Sequence, residues 1–511
     1  MINKKSLNYS MKYIFQALTL VLFFFYILNN LKTNIYEVLF IDERMLIDDI
    51  YNVWLLEDLY GRFSNISNPV LKNILIIFIE LAYGGDLRYG RMWSNIFTVF
   101  VGPFSLISDS FVIIISRILN ASLFLLGSFF LSKNIENKNL TWVAVFAIYS
   151  LPAVEYFHRI PKPDTLLLIF VGFAINSILD QKFYRAIFFL AIASFIKINT
   201  IIIFFFLWIY ILKNIKESKG VLIVKTSIIS LVSLFLVNPI LIIPPIKISS
   251  FDLPNFYKIY FNWLTTQSSN GDQLFFNFEN FRLWSDTFSN FYKFPNSLSF
   301  VFIMLPIILI VYFKVFSSND SVSKYLLLAS SFYFLFYFGF IERQYTHYLH
   351  LPIALLIISY FRTLDFKNLQ SSTLVIILFL AIIGNLTNLQ KFLTDTEFYA
   401  NYRYGYENIS TVSDAEGLVS SVIDELKIIY GLNPHLEKNL VYWHPDLFLP
   451  RNRVTFKDDF FVREYWGNKE SINFAINEAD IYVTYTDYEV TKSISKSKVE
   501  NYFIYFYLDF D

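Results

Sequence analysis

The chain of 511 residues alternates long apolar segments with short polar connections. A helix needs about 20 mostly apolar residues to cross a bilayer. Eleven segments approach this requirement, and they are residues 12–31, 111–131, 140–157, 163–180, 184–197, 199–212, 221–245, 297–314, 324–341, 346–361 and 371–388. The pattern therefore predicts an α-helical polytopic membrane protein with about eleven transmembrane helices.

Some apolar segments are too short for a simple crossing. The fifth and sixth are expected to tilt, or to be broken at Lys197–Asn199. Residues 70–83 and 93–107 interrupt the first large loop, and we interpret them as interfacial or re-entrant helices.

The distribution of Lys and Arg orients these segments, because cytoplasmic connections are enriched in positive charge. With a cytoplasmic N-terminus, five basic connections fall inside, and they are residues 133–138, 180–185, 213–219, 314–324 and 362–367. The opposite face then receives the acidic loop 32–110, the connections 156–162, 246–296 and 341–346, and the tail. The first segment follows Lys4, Lys5 and Lys12 without a cleavage site, so it reads as a retained signal-anchor. We predict a multi-pass protein of a bacterial inner membrane.

The sequence changes character after residue 388, where charges become frequent. Residues 439–449 and 479–490 alternate apolar and polar side chains as strands do. We therefore predict a membrane domain over 1–388, with the large exterior loop 32–110, and a small extracytoplasmic α/β domain over 389–511.

Composition narrows the class of function. Hydrophobic residues make up 55% of the chain and charged residues 16%, against roughly a quarter charged in soluble domains. The net charge of zero argues against a nucleic-acid partner. The absence of cysteine excludes disulfides, thiolate zinc sites and a cysteine nucleophile. The sequence also lacks a GxxxxGK[ST] phosphate loop, an HExxH motif and a GxSxG motif.

The first candidate for chemistry is the acidic pair Asp42 and Glu43, just after the first apolar segment. A carboxylate there could accept the proton of an attacking hydroxyl group. The alternative is a helix N-cap. We interpret the following Asp48 and Asp49 as solvated or capping residues.

Two basic clusters lie at predicted exterior helix ends. His158, Arg159 and Lys162 occupy five consecutive positions, and such cations suit a phosphate group. Arg343 and His347, with His350, could share one helix face that binds an anionic lipid head. The alternatives are a basic turn at lipid headgroups and a plain polar helix end. Lys197 either points into a cavity or snorkels to the interface.

The ordered set of motifs resembles the GT-C glycosyltransferases. The motifs are IDER, SRILNASLFLLGSFFL, RIPKPDTLLLIF, FIKINT and RQYTHYLHLP, spread over about residues 12–390. Within that superfamily the chain is similar to the protein O-mannosyltransferase, lipid A aminoarabinose transferase and rhizobial core-sugar transferase group.

The resemblance implies sugar transfer from a polyprenyl phosphate to an acceptor outside the cytoplasm, with Asp42 as catalytic carboxylate and Glu43 as its partner. The lipid phosphate would be held by basic residues, namely His158, Arg159, Lys162, Lys197, Arg343 and His347. The expected partners are the lipid-linked sugar, membrane lipid and a glycolipid, polysaccharide or protein acceptor. The sequence specifies no cofactor, although a divalent metal at Asp42, Glu43 and His347 stays open. The alternative functions are a polysaccharide polymerase or ligase, and a transporter or flippase of lipid-linked sugars.

Overall fold

A computed structural model gives the fold. It describes residues 4–31, 41–54, 56, 66–83, 91–239, 277–340, 346–364, 372–394, 412–434, 436, 440–443, 461–464, 480–484, 494–499 and 502–508. The chain forms two compact units, which are Met1–Lys32 with Met45–Phe392, and Thr33–Arg44 with Leu393–Asp511.

The first unit is helical throughout its described part. Its helices in chain order are α1 Lys4–Asn30, α2 Ile41–Trp54, α3 Pro69–Tyr83, α4 Arg91–Val101, α5 Asp109–Ser132, α6 Thr141–Tyr149, α7 Val154–Arg159, α8 Asp164–Leu179, α9 Phe183–Ile196, α10 Ile201–Asn214, α11 Lys219–Val237, α12 Glu279–Phe291, α13 Ser297–Ser317, α14 Ser321–Phe340, α15 His350–Arg362 and α16 Ser372–Thr394. The helix α2 runs across the division between the units.

In the described residues, each of the eleven apolar segments is largely helical, as the apolar pattern predicts. Six helical stretches of the described residues are long and apolar enough to cross a membrane, and they are Lys12–Asn30, Phe111–Ser132, Lys219–Val237, Ser297–Ser317, Ser321–Phe340 and Leu374–Leu393. The remaining segments give shorter helices. The break predicted near Lys197 is confirmed, because α9 ends at Ile196 and α10 starts at Ile201. The interfacial position of α3 and α4 stays a prediction.

The third predicted span differs from a single helix. It is divided into α6 and α7, with Ala153 in the left-handed region at φ 80°. Pro152 precedes this residue and cannot donate a backbone hydrogen bond, so the helix cannot continue through it. The break lets α7 approach the turn that leads into α8.

Three connections predicted on the same side of the membrane meet at the buried Arg362. Its guanidinium pairs with Asp320 at 2.8 Å and also contacts Glu136 at 4.0 Å. It donates a further hydrogen bond to the carbonyl of Asn134. Glu136, Asp320 and Arg362 lie in or beside the connections 133–138, 314–324 and 362–367, so the fold places these connections at one end of the helices.

In the second unit, the described residues form one helix and one sheet. The helix is α17 Val412–Leu432, and the strands are β1 Leu440–Trp443, β2 Phe461–Glu464, β3 Ile481–Thr484, β4 Ile494–Val499 and β5 Tyr502–Leu508. The sheet order is β2-β1-β3-β5-β4, with β1 parallel to both β2 and β3 and β5 antiparallel to both β3 and β4. Consecutive residues of β3 and of Ile504–Leu508 are buried, so both faces of these strands are covered. The small α/β fold predicted for the tail is confirmed.

Candidate functional site

The site is organised around the turn between α7 and α8. Asn120, a buried residue of α5, donates hydrogen bonds to the carbonyls of Phe157 at 2.6 Å and Ile160 at 3.0 Å. Its side-chain oxygen accepts from the backbone N–H of Lys162 and from the hydroxyl of Thr165, both at 3.1 Å. One carboxamide thus satisfies four buried polar groups and fixes the shape of the turn.

Three charged side chains meet beyond this turn. Lys197 Nζ lies 2.6 Å from Asp164 Oδ1, and both side chains are almost fully buried. Lys162 is 1% exposed, and the charges of Asp164 and Lys197 both act on it. We call Lys162, Asp164, Lys197 and His347 the cation cluster.

Burial opposes the charge of Lys162 in the cation cluster. It lowers the pKa of Lys162 well below its usual value, with Asp164 raising the pKa and Lys197 lowering it further. An anion next to Lys162 would therefore be favoured, because it stabilises the charged form of the lysine.

Aromatic rings line the cation cluster. The imidazole of His347 stacks on Tyr156 with 5.2 Å between ring centroids, and Lys162 Nζ lies 5.3 Å from the centroid of Tyr156. Lys197 Nζ lies 4.5 Å from the ring centroid of Tyr348. Such contacts stabilise ammonium groups out of water.

The aromatic lining continues along α14. Tyr348 packs on Tyr337, which stacks in turn on Tyr333 with 5.0 Å between centroids. The side chain of Asn199, two residues after Lys197, donates a hydrogen bond to the Tyr337 hydroxyl. Three segments therefore contribute residues to one buried, positively charged and aromatic group, and they are 156–164, 197–199 and 346–350.

His158 and Arg159 lie elsewhere in the structure. The imidazole of His158 is fully buried and stacks on Tyr26 at 4.1 Å between centroids. The guanidinium of Arg159 donates to the carbonyls of Lys391 and Phe392 and covers the ring of Phe392. A cation at the carbonyl end of α16 neutralises the partial negative charge there. The phosphate-binding role predicted for these two residues stays a prediction.

His350, the third residue of the late basic motif, also differs in environment. Its ring packs against Phe124 and Phe157, each at 5.1 Å between centroids, and is 2% exposed. His347 joins the cation cluster, whereas His350 joins the apolar core of the helices.

The remaining predicted site residues carry no side-chain description. Asp42 and Glu43 fall in the first turn of α2, and their side chains lie outside the described residues, as does all of Arg343. Among the residues that the structure describes, no group of three His, Cys, Asp or Glu could hold a metal ion. The metal alternative at Asp42, Glu43 and His347 includes residues outside that part, so it stays a prediction.

Asp49 corrects one interpretation of the sequence. Its carboxylate is buried and not solvated, because it pairs with Arg91 at 2.7 Å and accepts a hydrogen bond from Ser94 at 2.5 Å. Asp48 has no side-chain description.

Four residues of the site were not assigned a binding role from the sequence. They are Asp164, which forms the ion pair with Lys197, and Asn120, Tyr156 and Tyr348. The sequence contains one signal for the Asp164–Lys197 pair. Both residues border apolar helices at ends predicted to lie on the same exterior side, where opposite charges could meet.

Comparison with known proteins finds a solved structure with a similar fold. No protein-family model matches the sequence, and no curated protein sequence matches it. A crystal structure of ArnT from Cupriavidus metallidurans, bound to undecaprenyl phosphate, is similar with a TM-score of 0.53. The likeness covers 96% of this chain and 97% of that chain, at 10% sequence identity. The chain therefore shares the fold of ArnT, and the polytopic helical fold expected from the motifs is confirmed.

Proposed function

We propose that the chain is an integral membrane glycosyltransferase that moves a sugar from a polyprenyl phosphate carrier to an extracytoplasmic acceptor. The observation that carries the proposal is the buried cation cluster in a chain with this fold. Two lysines and one carboxylate among aromatic rings form a site for an anion that arrives with an apolar carrier. The ArnT structure of the same fold contains undecaprenyl phosphate, an anion of that kind.

The chemistry assigned to the site is a single displacement with inversion. The acceptor oxygen attacks the anomeric carbon, and the bond between that carbon and the phosphate oxygen breaks. The bonding electron pair leaves with the phosphate, whose growing charge is stabilised by Lys162 and Lys197. The proton of the acceptor hydroxyl goes to Asp42 as general base, with Glu43 as its partner. In this scheme the sugar can be a hexose or a pentose.

The proposal divides the predicted cations into two groups. Lys162, Lys197 and His347 belong to the cation cluster, and Arg343 is proposed to join it from the adjoining segment 341–345. His158 supports the turn, and Arg159 connects it to α16. A metal at Asp42, Glu43 and His347 would supply charge stabilisation but is not needed for the proton transfer.

Asp42→Asn tests the proposal in the native host after deletion of the gene. Asn is isosteric with Asp but cannot take up the proton, so cells carrying this variant should accumulate the polyprenyl-linked sugar and an acceptor one sugar short. Mass spectrometry of extracted lipids measures both. Asp180→Asn, at an exposed carboxylate paired with Lys182, is the matched control and should restore the complete product. Complete product from Asp42→Asn at normal expression would remove Asp42 from the mechanism.

The alternative functions predict other outcomes in purified protein. A transferase adds sugar in detergent micelles, where there are no two leaflets, whereas a flippase has no activity there. A polymerase gives a ladder of long products, and a ligase transfers a preassembled chain instead of a single sugar. Either result would contradict the proposed function.

A further inference from the structure

A second buried charge pair lies in the segment that follows the first apolar helix. Arg91 Nη1 is 2.7 Å from Asp49 Oδ2, and the hydroxyl of Ser94 donates to the same oxygen at 2.5 Å. The side chains of Asp49 and Arg91 are 5% and 3% exposed. Removing two charges from water is unfavourable, so such a pair is weak evidence for stability. Fixing the register of two elements is its best-attested use.

The pair joins α2 to α4, and a second contact joins the same helices five residues further along. The indole of Trp54 donates to the carbonyl of Thr98 at 2.7 Å and lies directly over Gly102, where a Cβ atom would overlap the ring. One ion pair and one indole hydrogen bond therefore hold α2 at two points. Two such points fix both the position and the direction of a helix.

The helix α4 is itself anchored to the membrane helices. It packs against α5 and α11. The helix α5 also carries Asn120, which shapes the turn of Lys162. The α2–α4 contacts are thus connected through α5 to the cation cluster.

From this arrangement we propose that Asp49 and Arg91 are positioning residues that fix α2, and with it the acidic first turn that carries Asp42 and Glu43. The helix is continuous from Ile41 to Trp54, so its Asp49 turn and its first turn move together. They are separated by about 10 Å along the helix axis. The role in sugar transfer rests on the proposed function, whereas the fixing of α2 does not.

Distance measurement between spin labels tests the fixing of α2 without any activity assay. The chain has no cysteine, so Val53→Cys, at a half-buried position of α2, and Leu106→Cys, at an exposed position after α4, accept two labels at unique positions. Asp49→Asn removes the carboxylate charge that pairs with Arg91, and the distance distribution should broaden. Asp320→Asn at the Arg362 pair is the matched control, because it changes an Asp–Arg pair with a buried guanidinium elsewhere and should leave the distribution narrow. A distribution as narrow in Asp49→Asn as in the wild type would overturn the proposal.

Steady-state kinetics test whether the positioning role of Asp49 affects sugar transfer. Displacement of a catalytic group by about 1 Å can cost about 100-fold in rate. Asp49→Asn should therefore lower kcat about 100-fold while KM for the polyprenyl-phosphate sugar stays at its wild-type value. A rise in KM at unchanged kcat would contradict the positioning role. If the wild type transfers no sugar at all, the proposed function fails, and the spin-label distances still decide whether Asp49 fixes α2.

Discussion

At the residue scale, Lys162 lies where burial opposes the charge of its ammonium group. Its backbone N–H is tied to Asn120, and its ammonium group lies beside the ring of Tyr156. Burial lowers the pKa of this residue, so the cost of keeping it protonated is lowest when an anion is bound. A ligand phosphate would supply that anion.

We predict that Lys162 gives phosphate binding a pH dependence. An ammonium with a lowered pKa loses its proton at a lower pH than usual. The affinity for a short-chain polyprenyl phosphate should fall as pH rises through that pKa, below the ordinary lysine value of about 10.4. The ligand keeps its charge between pH 8 and 10, since its second pKa is about 6. Lys162→Arg should move the fall to higher pH, because guanidinium stays protonated. Titrations by thermophoresis from pH 8 to 10 measure both proteins.

Removal of the Lys162 charge should also weaken phosphate binding at a fixed pH. A hydrogen bond to a charged group contributes about 1.5–3 kcal/mol, so Lys162→Met should weaken phosphate binding by about 10- to 150-fold at pH 8. The control is Lys225→Met, which removes an exposed lysine paired with Glu217 and should bind as the wild type does. Equal affinities in the two variants would show that Lys162 does not contact the phosphate.

The site could be predicted from the sequence only in part. Lys162, Lys197 and His347 were predicted to bind phosphate and do meet, although they are far apart in the chain. His158 and Arg159 were grouped with Lys162 because they are close in sequence. They belong to the short helix α7, where each residue turns by about 100°, so neighbours point to different surroundings. Position in the sequence gives the end of a helix but not the direction of a side chain.

At the element scale, α16 and the broken third span fit closely because their polar and small residues match. Asn385 donates to the carbonyl of Phe146, and Asn388 donates to those of Tyr149 and Leu151. These carbonyls lie at and just beyond the end of α6, where a helix leaves backbone carbonyls without intrahelical partners. Gly384 allows the approach, since a Cβ there would lie 2.1 Å from the carbonyl oxygen of Ser150.

Gly384→Ala should therefore destabilise the protein. Alanine gains about 1 kcal/mol over glycine in helix propensity, but overpacking against backbone costs about 1–3 kcal/mol and more where atoms overlap. The cost of the clash should exceed the gain in helix propensity, so the thermal unfolding temperature in detergent should fall. Gly220→Ala, with no heavy atom within 4 Å of the added carbon, is the control and should leave that temperature unchanged or slightly higher. A Gly384→Ala protein as stable as this control would contradict the close approach.

The elements themselves were predictable because apolar length is a direct signal of helix in a membrane protein. The breaks within the apolar segments were harder to predict. The interruption at Lys197–Asn199 showed as a charge between apolar runs, whereas the break at Pro152–Ala153 lies inside a continuous apolar segment. Its cause is one left-handed residue after a proline, and hydropathy does not register backbone angles.

At the scale of the whole molecule, the helices of the first unit separate two sets of connections. The first set contains the five basic connections. Three of them, 133–138, 314–324 and 362–367, meet at Arg362, and the other two, 180–185 and 213–219, are joined by the hydrogen bond of Tyr184 with Glu217. The cation cluster lies at the other ends of α14 and α15, because α14 runs from beside Asp320 to Tyr337 and α15 runs from beside His347 to Arg362. The charge bias predicts that the first set is cytoplasmic and that the cation cluster opens to the exterior.

Cysteine labelling decides this orientation. The chain has no cysteine, so each introduced one is the sole target of a membrane-impermeant maleimide. Lys293, exposed between α12 and α13 in the predicted exterior loop 246–296, should react in intact spheroplasts as Lys293→Cys. Lys133→Cys and Lys216→Cys, exposed in two connections of the first set, should react only after the membrane is permeabilised. The unsubstituted protein controls for labelling of other groups. The reverse pattern would place the cation cluster in the cytoplasm, where an extracytoplasmic acceptor could not reach it. The proposed direction of transfer would then be wrong even if the phosphate site were right.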